Sequence, residues 1–246
     1  MSVKRMRVFA GPNGSGKTTI FKGTLANYGV KLGVYVNADE IEKELTNLKT
    51  INFSDYQLTI NNNQLKAFFK FSTFSPIKRN EPNLWELLEV SDNLLKVETY
   101  IDSYLAADLA EFIRQQLLDN GVSFTYETVM SHSGKIDFFI KAQELGYRVY
   151  LYYVATEDPE INIRRINVRV AQDGHAVPPE VVKTRYYKSL NNLKSAVKQT
   201  NRAYIFDNSQ RQARLITEIE NGIDVSLNNV FELPNWVSEY LLNKTQ

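Results

Sequence analysis

The sequence predicts an α/β fold in which a parallel sheet of five strands is covered by helices on both faces. Two observations lead to this class. Short apolar runs bounded by turn residues alternate with segments of helical periodicity along most of the 246 residues. A glycine-rich loop joins the first apolar run to the first helical segment. Strands that alternate with helices form right-handed βαβ units, which place parallel strands in one sheet.

Each strand is predicted where an apolar run meets turn residues. Gly11 and Pro12 end the first run, and Arg148 is the one charge in the long run before Ala155. Asp158 and Pro159 start a helix, because aspartate caps a helix and proline suits its first position. The strands are predicted at 7–10, 33–37, 122–126, 147–155 and 203–206, with helices at 17–28, 38–48, 133–145, from 158 and at 179–198.

The length of the chain predicts a single domain, residues 1–246. Two regions of it depart from the alternation of strands and helices. Residues 47–100 hold no clear core strand and are rich in Asn, Phe and Leu, which predicts an inserted, mainly helical cap. A surface elaboration without function is the equal alternative for this insertion. The tail, residues 210–246, predicts a hairpin from 214–220 and 223–227 and a last helix at 235–242.

The composition argues against several functional classes. Lys and Arg total 29 against 28 Asp and Glu, so the net charge of +1 gives no reason to expect a nucleic-acid or membrane-surface partner. The absence of cysteine excludes disulfides and thiolate metal sites, and two histidines do not favour a multi-histidine metal site. The first apolar run has four residues, too few for a signal peptide or a membrane span. We therefore expect a soluble, cytoplasmic protein.

Residues 11–18 satisfy the pattern G-x-x-x-x-G-K-[ST], which binds nucleotide phosphates. Glycines let backbone N–H groups converge on the phosphates, and the following helix directs its positive end at them. We expect Lys17 to reach the β- and γ-phosphates and the Thr18 hydroxyl to bind Mg²⁺. The predicted nucleotide contacts are Gly11, Pro12, Asn13, Gly14, Ser15, Gly16, Lys17, Thr18 and Thr19.

The loop occurs in several protein classes, and two of them are disfavoured by missing motifs. The sequence has no N-K-x-D guanine motif, as in GTPases, and no L-S-G-G-Q-type signature, as in transporter ATPases. A small-molecule kinase needs instead a carboxylate that aligns and deprotonates an acceptor hydroxyl. It also needs arginines that close over the transferred phosphoryl group.

Asp39 and Glu127 are the candidate carboxylates. Each follows or ends a predicted strand, and the carboxyl ends of parallel strands line the ligand crevice. Asp39 is placed to act as the base for an acceptor or, equally, to cap the helix that follows. Glu127 is placed to support Mg²⁺ through water, to contact the substrate or to cap the next helix. Thr128 and Ser131 are candidate hydroxyl contacts to phosphate or sugar.

Arginines on the helix after Asp158 are candidates for neutralising transition-state charge. Arg165 and Arg169 are four residues apart and therefore share a helix face. Two guanidinium groups facing a triphosphate would offset its charge, and a solvated basic face is the alternative. Arg185, on the next helix, is a further candidate for phosphate or substrate contact.

Taken together, these segments resemble the zeta-toxin-like family of P-loop kinases, in particular the small bacterial branch called predicted ABC-type ATPase. The resemblance covers most of the chain except 47–100 and the tail. The matching blocks are AGPNGSGKTT (10–19), YVNADEI (35–41), FTYETVMS (124–131), GYRVYLYYVATEDPE (146–160), RRINVRVAQDGHAVP (164–178), RYYKSLNNL (185–193) and FDNS (206–209).

The resemblance implies an adenylate-kinase-like core with strand order 2-3-1-4-5, ATP with Mg²⁺, and phosphoryl transfer to a hydroxyl. In the better-known zeta toxins the acceptor is a UDP-N-acetyl sugar, and an antitoxin chain restrains the enzyme. Carried onto this sequence, Asp39 matches the acceptor-activating aspartate, and Glu127 with Thr128 matches the acidic strand-end motif. Arg165 and Arg169 match the lid arginines, and Asn208 lies in the block that borders the adenine.

This sequence departs from the family pattern at three places. Ala38 stands where the branch usually has proline, Asp173-Gly174 replaces paired glycines, and residues 47–100 are longer than expected. Two rival functions remain beside a small-molecule kinase. One is a nucleotide-binding switch whose cap binds another chain, and the other is a nucleic-acid end kinase, which the near-neutral charge disfavours.

Overall fold

The computed structural model describes residues 3–27, 32–72, 74–171, 177–227 and 232–242. The strands are β1 (Arg5–Ala10), β2 (Val34–Val36), β3 (Thr50–Asn52), β4 (Leu88–Ser91), β5 (Leu94–Val97), β6 (Phe124–Thr128), β7 (Arg148–Ala155), β8 (Arg202–Asp207), β9 (Arg214–Glu220) and β10 (Asp224–Leu227). The α-helices are α1 (Lys17–Asn27), α2 (Ala38–Leu48), α3 (Asn62–Phe71), α4 (Ser75–Lys78), α5 (Ser103–Asp119), α6 (Gly134–Glu144), α7 (Pro159–Val170), α8 (Pro179–Lys198) and α9 (Asn235–Val237). Short 3-10 helices cover Phe53–Tyr56 and Leu84–Leu87, and a π-helical turn covers Ser238–Leu242.

The chain divides into two compact units. The first unit comprises Met1–Lys31 and Glu127–Gln246, and the second comprises Leu32–Tyr126. The boundary falls within β6, whose last two residues belong to the first unit. The predicted insertion, residues 47–100, lies inside the second unit, and the single-domain assignment stays a prediction.

In the first unit, the sheet runs in the order β1, β7, β8, β9, β10. β1, β7 and β8 are parallel, whereas β9 and β10 are antiparallel. Three aromatic rings stack across the parallel strands: Phe9, Tyr152 and Tyr204 have successive ring centroids 4.6 and 4.9 Å apart. Phe21 of α1 meets Phe9 edge-on at 5.2 Å, and this contact packs the first helix against the sheet.

In the second unit, β2 pairs in parallel with β6, so that Val34 lies opposite Phe124. Asn37 caps the following helix α2, because its side chain accepts a hydrogen bond from the Asp39 N–H at 2.9 Å. Ile41 and Leu45 form the buried face of α2, which packs against α5. The sequence predicted this helix with its observed bounds.

These pairings confirm the predicted α/β class with a mostly parallel sheet and flanking helices. The predicted strand order was 2-3-1-4-5. In the second unit β2 and β6, the predicted strands 2 and 3, are neighbours, and in the first unit β1, β7 and β8, the predicted strands 1, 4 and 5, follow one another. The predicted count of five leaves out β9 and β10. The predicted C-terminal hairpin extends the sheet, because β9 pairs antiparallel with β8. None of the helices in the described ranges combines the length with the apolar character that a membrane-spanning helix needs.

The prediction of a helical insertion at 47–100 missed a three-stranded antiparallel sheet of order β3-β5-β4. Its strands have three or four residues each, too short to show clear alternation. The residues of the turn between β4 and β5 were the sequence signal from which a hairpin could have been predicted. Asp92 and Asn93 link β4 to β5 and both have positive φ, as a two-residue type I′ hairpin requires. Asn93 also accepts from the Ile60 N–H at 2.8 Å, which fixes the neighbouring loop.

Two buried polar networks hold the segment between α3 and β4. The Asp108 carboxylate on α5 accepts hydrogen bonds from the Ser72 hydroxyl (2.7 Å), the Ser75 N–H (3.0 Å) and the Ser75 hydroxyl (2.5 Å). The guanidinium of Arg79 bridges Glu81 at 2.8 Å and Asp102 at 2.7 Å. Because Asp108 and Arg79 at the centres of these networks are buried, the networks anchor this segment more firmly than fully exposed ion pairs would.

We expect Asp108→Ala to lower the free energy of unfolding by about 2 to 3 kcal/mol, since it leaves several buried donors without an acceptor. Glu89→Ala removes an exposed carboxylate on β4 of the same unit and should change it by less than about 0.5 kcal/mol. Urea denaturation of the two variants and the wild type measures both values. Equal stability of the Asp108 variant and the wild type would contradict the anchoring role.

Candidate functional site

The loop after β1 approaches the end of β7 so closely that its first glycine cannot carry a side chain. A Cβ on Gly11 would lie 2.0 Å from the carbonyl oxygen of Val154, and the φ of Gly11 is +141°. Gly16 has a φ of +95°, and a Cβ there would lie 2.3 Å from the amide nitrogen of Asn208. Both positions therefore require glycine for its backbone conformation and for space.

Lys17 begins α1 and folds back over the loop. Its ammonium group donates to the carbonyls of Gly11 and Pro12, each at 3.0 Å. The loop thus ends at a helix N-terminus, with a cation beside it, and both features attract phosphate. The loop glycines, the helix terminus and the cation fit the phosphates of a nucleotide.

Thr18 and Glu127, predicted as the metal-binding pair, lie together in the first unit. The Thr18 hydroxyl donates to a carboxylate oxygen of Glu127 at 3.0 Å. A hydroxyl and a carboxylate are hard oxygen donors of the kind that Mg²⁺ prefers, so these two residues fit that ion. The capping alternative for Glu127 is wrong, because the next helix, α6, begins at Gly134 with Ser133 at its N-cap.

The side chains of two asparagines, Asn162 and Asn208, donate hydrogen bonds to carbonyls of the loop, and Asn162 was not among the predicted site residues. The Asn162 side chain on α7 donates to the Asn13 carbonyl at 2.6 Å, and Asn208 donates to the Ser15 carbonyl at 2.7 Å. A signal for Asn162 was present, since it occupies the buried face of α7 beside Ile163 and Ile166. A polar residue on an apolar helix face needs a partner.

Arg165 on α7 is half-buried, and its guanidinium donates to the Gln210 carbonyl at 3.4 Å. Burial lowers the pKa of Arg165, while the nearby Asp207 carboxylate raises it. One guanidinium nitrogen of Arg165 is buried without a hydrogen-bond partner in the described structure. Arg169 is exposed on the same helix, and Arg185 is half-buried on α8. The predicted lid roles of these arginines stay predictions.

The remaining predicted residues lie at different places. Thr128 accepts from the Met130 N–H at 3.1 Å, which stabilises the turn after β6, and Ser131 follows half-buried. Thr19 is exposed in the first turn of α1. In the second unit Asp39 is exposed, and the capping alternative for it is wrong because Asn37 caps α2. The Asp173-Gly174 pair, which departs from the family pattern, lies outside the described residues.

Comparison with known proteins identifies the family. The family model "Zeta toxin" matches residues 92–228, which is more than half of the chain. The chain therefore belongs to the zeta toxin family. The match begins after the phosphate loop, so the loop and Asp39 are assigned from their own sequence pattern and not from the family match.

Two relatives of this zeta toxin family member illustrate the extent of the likeness. An uncharacterized protein of Haemophilus influenzae is 35% identical over 65 residues, which are 26% of this chain and 46% of that protein. The AvrRxo1-ORF1:-ORF2 complex with ATP has a TM-score of 0.55 at 14% identity and covers 92% of this chain and 61% of the other. This chain thus spans less than two thirds of either relative, and the structural likeness supports the fold alone.

The PezAT chromosomal toxin–antitoxin system of Streptococcus pneumoniae is a more distant structural neighbour. It is 13% identical, with a TM-score of 0.49, and the likeness covers 100% of this chain and 81% of the other. That score is too low to carry an inference. The family match, together with the G-x-x-x-x-G-K-[ST] loop at residues 11–18, describes a zeta toxin family member that carries a phosphate-loop motif.

We expect Gly11→Ala to abolish nucleotide binding and to lower the free energy of unfolding by about 3 kcal/mol or more, because the new Cβ meets the Val154 backbone. Gly23→Ala is the matched control, since nothing lies within 4 Å of its Cβ position in α1. It should raise stability by up to about 1 kcal/mol. Thermal unfolding and ADP titration test both variants. Normal ADP affinity in Gly11→Ala would show that the close approach does not shape the site.

Proposed function

We propose that this zeta toxin family protein is an ATP-dependent kinase that transfers the γ-phosphoryl group to a hydroxyl of a small molecule. The observation that carries the proposal is the 3.0 Å contact between the Thr18 hydroxyl and the Glu127 carboxylate, beside the glycine loop. Phosphate-binding backbone and hard oxygen ligands are thus side by side. This combination suits a triphosphate bound with a divalent cation.

ATP and Mg²⁺ both fit the residues present. The loop offers N–H groups and Lys17 to the phosphates, and Thr18 with Glu127 would hold Mg²⁺. The metal, when bound, neutralises charge on the phosphates during transfer. ATP is also the nucleotide in the AvrRxo1-ORF1:-ORF2 complex, which shares the fold.

Asp39 is proposed as the base, from its position after β2 and from its place in the YVNADEI block. Its carboxylate is exposed and takes no part in capping α2. In the proposed reaction, the acceptor oxygen forms a bond to the γ-phosphorus while Asp39 takes the hydroxyl proton. The bond to the β-phosphate oxygen breaks, and ADP leaves. Arg165, Arg169 and Arg185 are proposed to offset the charge on the transferring group.

The acceptor is proposed from the family resemblance as a UDP-N-acetyl sugar. Glu127, Thr128 and Ser131 follow one another at the end of β6 and supply polar groups suited to a sugar or phosphate. A protein partner that restrains the enzyme, in the manner of an antitoxin, is proposed on the same resemblance.

We expect Asp39→Asn to reduce acceptor phosphorylation by about 100-fold to 10,000-fold while ATP binding persists, because the variant cannot accept the proton. The measurement is the mass of the product formed from ATP and a panel of UDP-sugars and other hydroxyl metabolites. Lys17→Ala should lose both binding and turnover. Glu40→Gln changes the adjacent exposed carboxylate of α2 and should retain activity. Full turnover in Asp39→Asn would remove the base assignment.

A second candidate function, a nucleotide-dependent switch acting through a protein partner, is favoured by an apolar surface of the second unit. We define this surface by Phe71, Phe74, Ile77 and Tyr104. Phe71 and Ile77 are 81% and 69% exposed, and the ring centroids of Phe74 and Tyr104 lie 5.7 Å apart.

The segment that carries this apolar surface is anchored by two polar networks, and exposed lysines adjoin the surface in the sequence. The Asp108 and Arg79 networks anchor the segment that carries it, so its exposure does not reflect a loose chain. Lys70 and Lys78 are exposed beside it, whereas the nearby carboxylates Asp102 and Asp108 are engaged by other groups. A preorganised apolar patch with basic neighbours fits an acidic, amphipathic partner segment.

For the switch, we expect the double substitution Phe71→Ser with Ile77→Ser to remove a copurifying partner while leaving ATP binding and thermal stability near those of the wild type. Leu48→Ser, which alters an apolar residue 63% exposed on α2, is the control and should retain the partner. Affinity purification from the native host, followed by light scattering, measures the complex. Two results together would favour the kinase over the switch. The wild type would show acceptor-stimulated turnover, and the double variant would keep its complex with the partner.

A further inference from the structure

We propose that Asn162 and Asn208 are positioning residues that set the direction of the N–H groups of the phosphate loop. Neither side chain is required to touch the nucleotide in this role. Each acts by holding one loop carbonyl on the side away from the phosphates. The proposal rests on the proposed function insofar as the loop receives the phosphates of a nucleotide.

The hydrogen bonds of the two asparagines fall on alternate peptide units of the loop. Asn162 holds the Asn13 carbonyl at 2.6 Å, and Asn208 holds the Ser15 carbonyl at 2.7 Å. In a trans peptide unit, the carbonyl and the N–H point in opposite directions. Fixing the carbonyls of Asn13 and Ser15 therefore fixes the N–H groups of Gly14 and Gly16.

The same two asparagines also bound the space around those glycines. A Cβ on Gly14 would lie 2.6 Å from the Asn162 carbonyl oxygen, and a Cβ on Gly16 would lie 2.3 Å from the Asn208 amide nitrogen. Gly14 and Gly16 both have positive φ. The loop backbone is thus packed against its two hydrogen-bond donors, and a shift of either would reorient the loop.

The Asn162 amide is itself oriented by neighbours. The Thr156 hydroxyl donates to the Asn162 side-chain oxygen, so the amide nitrogen is the end that meets the loop. The Tyr186 hydroxyl on α8 donates to the Thr156 carbonyl at 2.5 Å. Asn208 is fixed through its backbone, because its N–H donates to the Ala155 carbonyl at 2.8 Å.

A purely structural role explains the presence of Asn162 less well than the positioning role does. Its side chain is fully buried on α7, where Ile163 and Ile166 pack into the core. An apolar residue of similar volume would fill this place without the cost of burying an amide. The contact that the amide adds is to the loop backbone, which is the part of the site expected to bind phosphate.

The test measures ADP and adenosine binding to the full chain and to four variants. Asn162→Ala and Asn208→Ala delete the two donors, and Thr156→Val removes the orienting hydroxyl with little change of shape. Asn201→Ala is the matched control. Its side chain also bonds to the backbone in the same unit, accepting from the Val149 N–H at 2.8 Å near the start of β7.

We expect ADP affinity to fall about tenfold in Asn162→Ala and Asn208→Ala and about threefold in Thr156→Val, as for the loss of one aligned hydrogen bond. Adenosine, which lacks phosphate, should bind Asn162→Ala, Thr156→Val and Asn201→Ala within about twofold of the wild type. Asn201→Ala should keep its ADP affinity even if its melting temperature falls. A purely structural role would instead weaken ADP and adenosine together, or move the control equally.

Wild-type ADP affinity in both Asn162→Ala and Asn208→Ala would overturn the inference. If Asn162→Ala does not fold, Asn208→Ala and the isosteric Thr156→Val decide the question. A wild type that does not bind ADP would overturn both the inference and the nucleotide site. A wild type that binds ADP but phosphorylates no acceptor would count against the kinase alone, because the ADP data are independent of phosphotransfer.

Discussion

The close approach of Gly11 to the Val154 carbonyl is the constraint on which the candidate site depends. Because no side chain fits there, the backbone passes directly from β1 across the end of β7 before it turns into α1. That path brings Lys17 over the carbonyls of Gly11 and Pro12. It also carries Thr18 to Glu127 at the end of β6. The need for glycine at position 11 thus sets the backbone path from which Lys17 and Thr18 make their contacts.

The two units stabilise their loops by different chemistry. In the second unit the stabilising groups are charged: Asp108 accepts hydrogen bonds from Ser72 and from Ser75, the first residue of α4, and Arg79 bridges two carboxylates. Around the phosphate loop, the supporting donors are the neutral amides of Asn162 and Asn208. Neutral donors orient a backbone without adding fixed charge to the proposed triphosphate site, which already contains the charges of Lys17 and Glu127.

The sequence predicted those elements whose signals are local. The glycine pattern defined the loop, and Asp158 with Pro159 marked the start of α7, where Asp158 accepts from the Glu160 N–H. Thr18 and Glu127 were each predicted as Mg²⁺ residues from a local motif, and the structure brings their side chains within 3.0 Å of each other. The small sheet in 47–100 was missed because its strands have only three or four residues, although Asp92 and Asn93 carried a local hairpin signal. Asn162 could be recognised as a polar residue on an apolar helix face, but its partner, the Asn13 carbonyl, lies 149 positions away and could not be named from the sequence.

The C-terminal hairpin leaves the first unit with a strand that has one paired side. β10 pairs with β9 and, among the described residues, with no strand on its other side. Val225 and Leu227 are 47% and 55% exposed, and they alternate with Asp224 and Ser226. An open edge of this kind is a template for strand addition between molecules. Its four-residue length and its aspartate oppose such addition, so self-association of the protein in concentrated solution depends on how well these two features protect the edge.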